Sequence, residues 1–179
     1  ISVIDKNKCI RCGKCIHSCP FGAIGSKTFI VDVINAIKAG KKVYAMAAPA
    51  TEGQFGPDIT MASWKKAMLE VGFADFYDVG LGADMTAAYE AEEWAEAYGE
   101  GKKKVTSCCP AFVNMVRLHY PDLAECVSTT VSPMCAVSRL IKAKEPDAVT
   151  VFIGPCLAKK SEVVDQKIPG LRSDDDIDR

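Results

Sequence analysis

Four cysteines near the amino terminus constrain this chain more than any other feature. Residues 9–20 read CIRCGKCIHSCP, which is a C-x2-C-x2-C-x3-C-P spacing. A tight loop of this length lets Cys9, Cys12 and Cys15 approach one inorganic centre, and Gly13 permits the turn between them. The segment therefore predicts a metal centre with at least three thiolate ligands.

This spacing is the bacterial ferredoxin signature for a 4Fe–4S cluster. In ferredoxins with two clusters, the fourth cysteine of such a run ligates the neighbouring cluster. Only one run is present here, so a companion run would have to precede Ile1; otherwise Cys19 closes the same cluster. We therefore expect one or two 4Fe–4S clusters at this end. Zinc is the alternative, since C-x2-C pairs also bind zinc, but Pro20 and the following FGAI favour iron and sulfur.

The cysteine count supports a metal protein over a disulfide scaffold. The nine cysteines are an odd number in tight clusters, and the 179-residue chain has an ordinary hydrophobic content of 49%. The net charge of -1 gives no support for nucleic-acid binding, and no apolar run approaches the roughly 20 residues that span a bilayer. We expect a cytoplasmic protein by default, although the chain begins at Ile1 and a targeting signal could precede it.

Beyond Gly25 the sequence changes to short apolar runs that alternate with helical patterns. The predicted strands are 43–50, 76–82, 104–107 and 148–154. The predicted helices are 59–71, 83–99, 110–119 and 132–144. This alternation predicts an α/β fold, a mostly parallel sheet flanked by helices, preceded by a small ferredoxin-like iron–sulfur module. Ligands of such sheets gather beyond the carboxyl ends of the strands, where the AAPA, TSCCP and GPC turns lie.

Two adjacent cysteines, Cys108 and Cys109, stand in the sequence TSCCPAF at residues 106–112. A disulfide between them needs separations and dihedral angles that a single trans peptide resists. The two thiols are therefore expected to have two different functions.

Three motifs together resemble the catalytic domain of iron-only (FeFe) hydrogenases. They are TSCCPAF (106–112), SPM (132–134) and FIGPCLAKKSE (152–162). The cysteine run at residues 9–20 stands where that family often carries its nearest electron-transfer cluster. The resemblance covers essentially the whole chain, and it implies a ferredoxin-type 4Fe–4S module at residues 1–27. Residues 28–179 would then be the first part of a truncated catalytic domain.

The resemblance also implies an H-cluster, which is a 4Fe–4S cubane joined through a cysteine sulfur to a two-iron unit. That unit carries cyanide, carbon monoxide and a dithiolate bridge. Cys109 and Cys156 match cubane ligands, and Lys159 matches a lysine that hydrogen-bonds one cyanide, as a charged donor to an anionic group should. The positions that the family places against the two-iron unit are Ala48, Pro49 and Met134.

The same resemblance implies a proton relay that ends at Cys108, the thiol left free beside the ligand. A thiol can both donate and accept a proton. The expected order is Glu90, Ser128, Glu93 and then Cys108. The two glutamates are spaced i, i+3, so one helix face can present both. The alternative for them is an exposed acidic helix.

Two further cysteines match no ligand of the family. Cys126 and Cys135 are therefore expected to be small buried apolar residues.

Three positions depart from the family pattern. Ala111 and Phe112 stand where the family more often has glycine and tryptophan, and Gly154 stands where it usually has methionine. We expect the loss of the methionine to loosen the packing around the two-iron unit while the ligands stay intact. The changes indicate a divergent branch.

The family supplies two more cubane cysteines from a third motif, C-x3-C, and this chain ends at Arg179 before one. Cys109 and Cys156 supply only two of the four thiolates that a cubane takes. We expect the remaining hydrogenase segment, or a second chain, to supply the others.

The function implied is the reversible reduction of two protons to dihydrogen, with electrons arriving from a ferredoxin-like carrier through the 4Fe–4S cluster. The alternative is a non-catalytic iron–sulfur protein on the same scaffold, either a sensor or a cluster-assembly protein. No nucleic-acid or membrane partner is expected.

Overall fold

The computed structural model describes residues 3–5 and 7–164, so the acidic stretch at 173–178 lies outside the described residues. The strands are β1 (Val43–Ala47), β2 (Asp75–Asp78) and β3 (Val149–Ile153). The helices are α1 (Lys14–His17), α2 (Ile30–Lys38), α3 (Met61–Val71), α4 (Gly80–Gly99), α5 (Pro110–His119), α6 (Pro133–Lys144) and α7 (Leu157–Val164). Single 3-10 turns cover Pro49–Thr51 and Pro121–Cys126.

The three strands form one parallel sheet in the order β2-β1-β3, with helices on its faces, which confirms the predicted α/β class. The central strand β1 pairs along its whole length with β3, from Val43 opposite Val149 to Ala47 opposite Ile153. Its sequence VYAMA suits this position, because a central parallel strand is covered on both faces and needs a nearly continuous apolar run.

The predicted strand at 104–107, the third along the chain, is wrong. Val105 makes only an isolated parallel bridge with Val127, supported by hydrogen bonds from Val105 N to Cys126 O (2.8 Å) and from Ser128 N to Val105 O (2.8 Å). The run cannot extend into a ladder because the amide of Ser107 is already bonded to a side chain, that of Glu90. Main-chain groups that bind elsewhere are lost to a sheet.

Three helices were not predicted from the sequence: α2, α7 and α1, which is a single turn inside the cysteine loop. The helix α4 begins earlier than predicted. The helix α2 shows apolar residues at 30, 33, 34 and 37, the spacing of one helical face, so its periodicity was available. The helix α7 has the mixed sequence LAKKSEVV, which carries no comparable signal. The helix α4 begins at Gly80, because β2 ends at Asp78 and the carboxylate of Asp78 accepts from the Gly80 amide (2.8 Å).

Proline and hydroxyl residues fix where two site-bearing helices begin. The helix α5 starts at Pro110 and α6 at Pro133, and proline is favoured in the first turn because its missing N–H would be unpaired there. The side chain of Ser132 accepts a hydrogen bond from Cys135 N and caps α6. None of the helices in the described part of the chain is both long and apolar enough to cross a membrane.

Candidate active site and iron–sulfur loop

The cysteine loop contains two residues in the left-handed region of backbone conformation. Arg11 and Gly13 both have positive φ, at 62° and 77°, and the amide of Arg11 points at Cys9 Sγ (3.4 Å). A Cβ atom on Gly13 would collide with the side chain of Leu157, whose own Cβ would be 3.1 Å away. Glycine is therefore required here both for conformation and for close approach. The loop lies directly against the residue that follows Cys156.

The donor set of this loop fits an iron–sulfur cluster. All four cysteines are free thiols, and each is exposed or half-buried. Backbone N–H groups of residues 21–24, that of Phe21 foremost, lower the pKa of Cys19, as suits a sulfur that binds metal as thiolate. In the described ranges, no three His, Cys, Asp or Glu side chains converge closely enough to hold a single metal ion. A cubane takes one thiolate on each of four irons, so its cysteines need not converge on one point.

Polar contacts attach the loop to the body of the protein. The Asn114 side chain on α5 donates to Ile10 O (3.4 Å), and the His119 ring at the end of α5 bonds to Lys8 O (3.2 Å). On α7, Lys160 Nζ donates to two acceptors in the connecting segment, Ser26 Oγ (3.0 Å) and Lys27 O (2.8 Å). The two helices that hold the loop are the same two that begin just after Cys109 and Cys156.

Each expected ligand of the H-cluster in this chain lies directly before a helix, and Cys156 also follows β3. Cys109 is the residue before α5, Cys156 is the residue before α7, and both are exposed. Lys159 joins the two turns, because its ammonium Nζ donates to the backbone oxygen of Cys108 (3.2 Å). The half-buried Cys108 thiol, the Lys159 ammonium and the two exposed sulfurs therefore belong to one locality.

The turn after β1 belongs to the same edge of the sheet. The Ala48 amide donates to Ile153 O (2.9 Å), so the chain beyond β1 stays beside the chain beyond β3. Ala48 is buried and Pro49 is exposed. Met134 differs from both, because it is fully buried in the core cluster with Met46 and Val79. Met134 is therefore a core side chain in the described part of the chain.

Gly154 is closely approached by its neighbours, and the expected loosening around the two-iron unit stays a prediction. A Cβ atom at this position would lie 2.8 Å from two ring atoms of Phe152 and 2.9 Å from Ala48 Cβ. The Phe152 ring already occupies the space that a larger side chain at 154 would need. The small residue is matched by a large neighbour two positions earlier, and packed interiors tolerate such volume-conserving exchanges best.

Both relay glutamates are half-buried on α4 and bind loops that surround the site. Glu90 accepts from Thr106 Oγ1 (2.8 and 2.9 Å) and from Ser107 N (2.9 Å). Glu93 accepts from Ser128 Oγ and from both the amide (3.0 Å) and the hydroxyl (2.7 Å) of Thr129. A solvated acidic face would lack these partners. The structure thus places Glu90, and not Glu93, beside the turn that carries Cys108.

The relay order, in which Glu93 was expected to precede Cys108, stays a prediction that this contact pattern does not favour. Glu90 lies one helical turn before Glu93 on α4, and that turn of the helix faces residues 106 and 107. Glu93 faces the turn at residues 128–129 instead. A cavity of about 310 Å³ is lined by both glutamates and by Lys104 and Ser128.

The two glutamates differ in their electrostatics as well. Burial acts to raise the pKa of Glu93, but hydrogen bonds from Ser128 and Thr129 and the charge of Lys104 outweigh it and lower the pKa to about 2. The Lys104 ammonium is 3.6 Å from Glu93 Oε1 and also reaches Val127 O (3.5 Å). Lys104 and Thr129 were not singled out from the sequence, because nothing in their local pattern distinguishes them from surface residues.

The two cysteines outside the ligand sets have separate environments. Cys135 is fully buried on α6, as expected, and its thiol donates to Glu162 Oε1 (3.3 Å). Cys126 is only half-buried at the end of its 3-10 turn, so the expectation of burial is wrong for it. That turn is exposed along most of its length.

Comparisons with known proteins agree with this arrangement. Residues 41–179 match the family model for the iron only hydrogenase large subunit, C-terminal domain, and residues 2–25 match the 4Fe-4S binding domain. The chain is 30% identical over 178 residues to the NADP-reducing hydrogenase subunit HndD of Solidesulfovibrio fructosivorans, covering 86% of this chain and 30% of that protein. It is 32% identical over 229 residues to the periplasmic Fe hydrogenase large subunit of Nitratidesulfovibrio vulgaris, covering 98% and 54%.

A solved structure shares the fold. It is a variant of the apo FeFe-hydrogenase HydA1 from Chlamydomonas reinhardtii, with a TM-score of 0.67 and 26% identity, covering 76% of this chain and 40% of that one. The chain thus spans about half or less of the length of these relatives. Its matched region nevertheless includes the CCP and GPC turns and the helices between them. The chain belongs to the iron-only hydrogenase family, and its hydrogenase domain is preceded by a 4Fe–4S binding domain.

Proposed function

We propose that this chain forms part of a site that interconverts two protons and two electrons with dihydrogen. The observation that carries the proposal is the bond between Lys159 Nζ and Cys108 O, which joins the CCP and GPC turns into one locality. Two thiolates, a free thiol and a cation at one sheet edge are the groups that such a site needs.

The residues present fit a cubane only in part. Cys109 and Cys156 would hold two of its irons, and another polypeptide segment or a second chain would supply the remaining two thiolates. When bound, the H-cluster supplies the metal at which protons and electrons combine. Lys159 supplies a charge-assisted donor for an anionic ligand, and Ala48 and Pro49 supply the wall beside the turn after β1.

Electrons would enter through the cluster held by residues 9–19, from a ferredoxin-like carrier. The support is the close packing of Gly13 against Leu157, which sets the cysteine loop next to the residue after Cys156. The role of the chain here is to hold the two centres at a fixed short separation.

Protons would reach Cys108 from the side of Glu90. A relay group works best when its pKa lies near the working pH. With a pKa of about 2, Glu93 is protonated in only roughly one molecule in 10⁵ at pH 7, so it is a poor carrier. Its hydrogen bonds to Ser128 and Thr129 suit it to hold that turn in place, and Ser128 lines the cavity that both glutamates also line.

The test is substitution of Cys108 by alanine in the full-length protein carrying its clusters. We expect turnover to fall by about 10²-fold or more, the size of effect that a positioned acid–base group supplies. The carbon monoxide and cyanide bands in the infrared spectrum should persist, since Cys108 is not a ligand. The matched control is Cys126→Ala, a half-buried cysteine that matches no ligand or relay position, which should retain turnover. Unchanged turnover in Cys108→Ala would refute the relay role.

A second candidate is a non-catalytic sensor or cluster-assembly protein on the same scaffold. Its support is Phe112 and Gly154, which differ from the family pattern. Infrared spectra separate the two functions, because a plain cubane lacks carbon monoxide and cyanide bands. The cytoplasmic location stays a prediction, since one relative is named as periplasmic.

A further inference from the structure

The cation that joins the two turns has a partner on its own helix. Glu162 follows Lys159 by three residues on α7, and its Oε2 atom is 3.5 Å from Lys159 Nζ. Both side chains are largely shielded from water, with 8% of the glutamate and 15% of the lysine exposed. The other carboxylate oxygen, Oε1, accepts from the thiol of Cys135 on α6 (3.3 Å).

Burial of a carboxylate in this position costs free energy unless neighbouring groups compensate its charge. Burial penalises an isolated charge severely, and removal of one partner from a buried pair leaves the other uncompensated. A lysine ammonium is carried on a flexible four-carbon stem, so its direction is not fixed by the backbone. The buried carboxylate restricts that stem to the conformation in which Nζ also reaches Cys108 O (3.2 Å).

We infer that Glu162 is a positioning residue, held in turn by the Cys135 thiol, that fixes the Lys159 ammonium between the CCP and GPC turns. Its importance for turnover rests on the proposed function, in which Lys159 faces the two-iron unit. The geometric part of the inference concerns only this chain, because all three side chains belong to α6 and α7.

Cys135 contributes a hydrogen-bond donor as well as packing volume. It lies in the first turn of α6, where Pro133 and the Ser132 cap fix the backbone. A serine at this position keeps a hydroxyl donor for Glu162 Oε1, whereas an alanine removes the donor and leaves that oxygen with one partner fewer. The two substitutions therefore separate hydrogen bonding from size.

The first experiment measures Lys159 in the full-length protein before any two-iron unit is loaded. Brief acetylation with acetic anhydride, quantified by peptide mass spectrometry, reports how firmly each lysine is held. We expect Glu162→Gln to raise the rate at Lys159 several-fold relative to the wild type. The matched control is Glu145→Gln, which removes the partner of Lys42 (2.8 Å) at the opposite edge of the sheet and should leave Lys159 unchanged. An unchanged rate at Lys159 in Glu162→Gln overturns the inference.

The second experiment uses the cysteine pair, since Glu162→Gln could impair folding. Cys135→Ala should also raise the acetylation rate at Lys159, and Cys135→Ser should restore the wild-type rate. In the loaded protein, Glu162→Gln and Cys135→Ala should shift a cyanide band and lower turnover by about 10-fold to 100-fold, the usual cost of an outer-shell partner. Equal behaviour of the alanine and serine variants would overturn the role of the thiol. Absence of cyanide bands from the wild type would refute the proposed function instead, and the acetylation result would stand by itself.

Discussion

The two faces of the sheet are covered by their helices to different degrees. On one face, which we call the closed face, α4 and α6 cover a core that includes Met46, Met134 and Ile141, and α6 alone buries six residues. On the other, the open face, neither α2 nor α3 has a fully buried residue. An apolar cavity of about 530 Å³ remains there between α2, β3 and α7.

This difference separates two kinds of site residue. Glu90 and Glu93 stand on α4, which the closed face anchors by tight packing, so their positions relative to the loops at 106–107 and 128–129 are well determined. Cys156 and Lys159 line the cavity of the open face instead. A functional group is held precisely only when the residues around it are locked by packing. The contrast teaches that Glu90 and Glu93 are preorganised by the packing of the core. The positions of Cys156 and Lys159 depend instead on polar contacts such as that of Glu162.

The largest effect is expected where the closed face is tightest. Gly82 on α4 meets α6 so closely that an added Cβ would lie 2.8 Å from Val137 Cγ2 and 2.9 Å from the Pro133 carbonyl carbon. Gly82→Ala should therefore force the helices apart and lower the free energy of unfolding by about 3 kcal/mol. Urea denaturation followed by circular dichroism measures this change.

The matched control for that prediction lies at the other end of the same helix. Gly99 has nothing within 4 Å of its Cβ position. Gly99→Ala should be neutral or stabilising by about 0.5–1 kcal/mol, because alanine loses less conformational entropy in a helix. A loss at Gly82 no larger than that at Gly99 would mean that α4 and α6 are not packed as tightly as described.

The sequence predicted helices on both faces and missed two that line the cavity of the open face. The helix at 132–144 and the strand at 148–154 were found because SP marks a helix start and AVTVFIG is a continuous apolar run. The helix α3 was found from its helical periodicity. The helix α7 was missed because its mixed sequence LAKKSEVV buries only scattered residues, such as Ala158 and Val163. The helix α2 was missed although its apolar spacing was available.

The sequence also predicted the residues of the site better than the contacts between them. The cysteine spacing and the family resemblance supplied every candidate ligand, since those residues are close in sequence within each motif. The pairing of Cys135 with Glu162 could not be predicted, because it joins two helices 27 residues apart. The Phe152 ring beside Gly154 was missed for a different reason: the family pattern shows which side chain is absent, but not which neighbour fills the space.

An intermediate effect is expected at the polar edge of the closed face. Glu93→Gln should lower the free energy of unfolding at pH 7 by about 1–2 kcal/mol, through loss of hydrogen bonds to an ionised group. The pKa of Glu93 is lowered from 4.5 to about 2 on folding, so its contribution is present above pH 4.5 and is lost as the pH falls towards 2. Urea denaturation at pH 7 and pH 3 should therefore show that the free energies of unfolding of variant and wild type differ less at pH 3 than at pH 7. Glu92→Gln, one residue earlier and exposed, should show no difference at either pH.

The smallest effect on stability is expected on the open face. It can be measured by comparing the same substitution, isoleucine to alanine, on the two faces. Ile30 on α2 is 65% exposed, whereas Ile141 on α6 is 1% exposed. Because Ile30 has little apolar surface to lose, Ile30→Ala should lower the free energy of unfolding by less than about 0.5 kcal/mol. Ile141→Ala should lower the free energy of unfolding by about 2–5 kcal/mol, since it removes buried methyl groups and leaves a cavity. Both values come from urea denaturation of the full-length protein. A cost at Ile30 that approached the cost at Ile141 would show that further polypeptide covers α2, and the contrast between the faces would then hold only for the residues described.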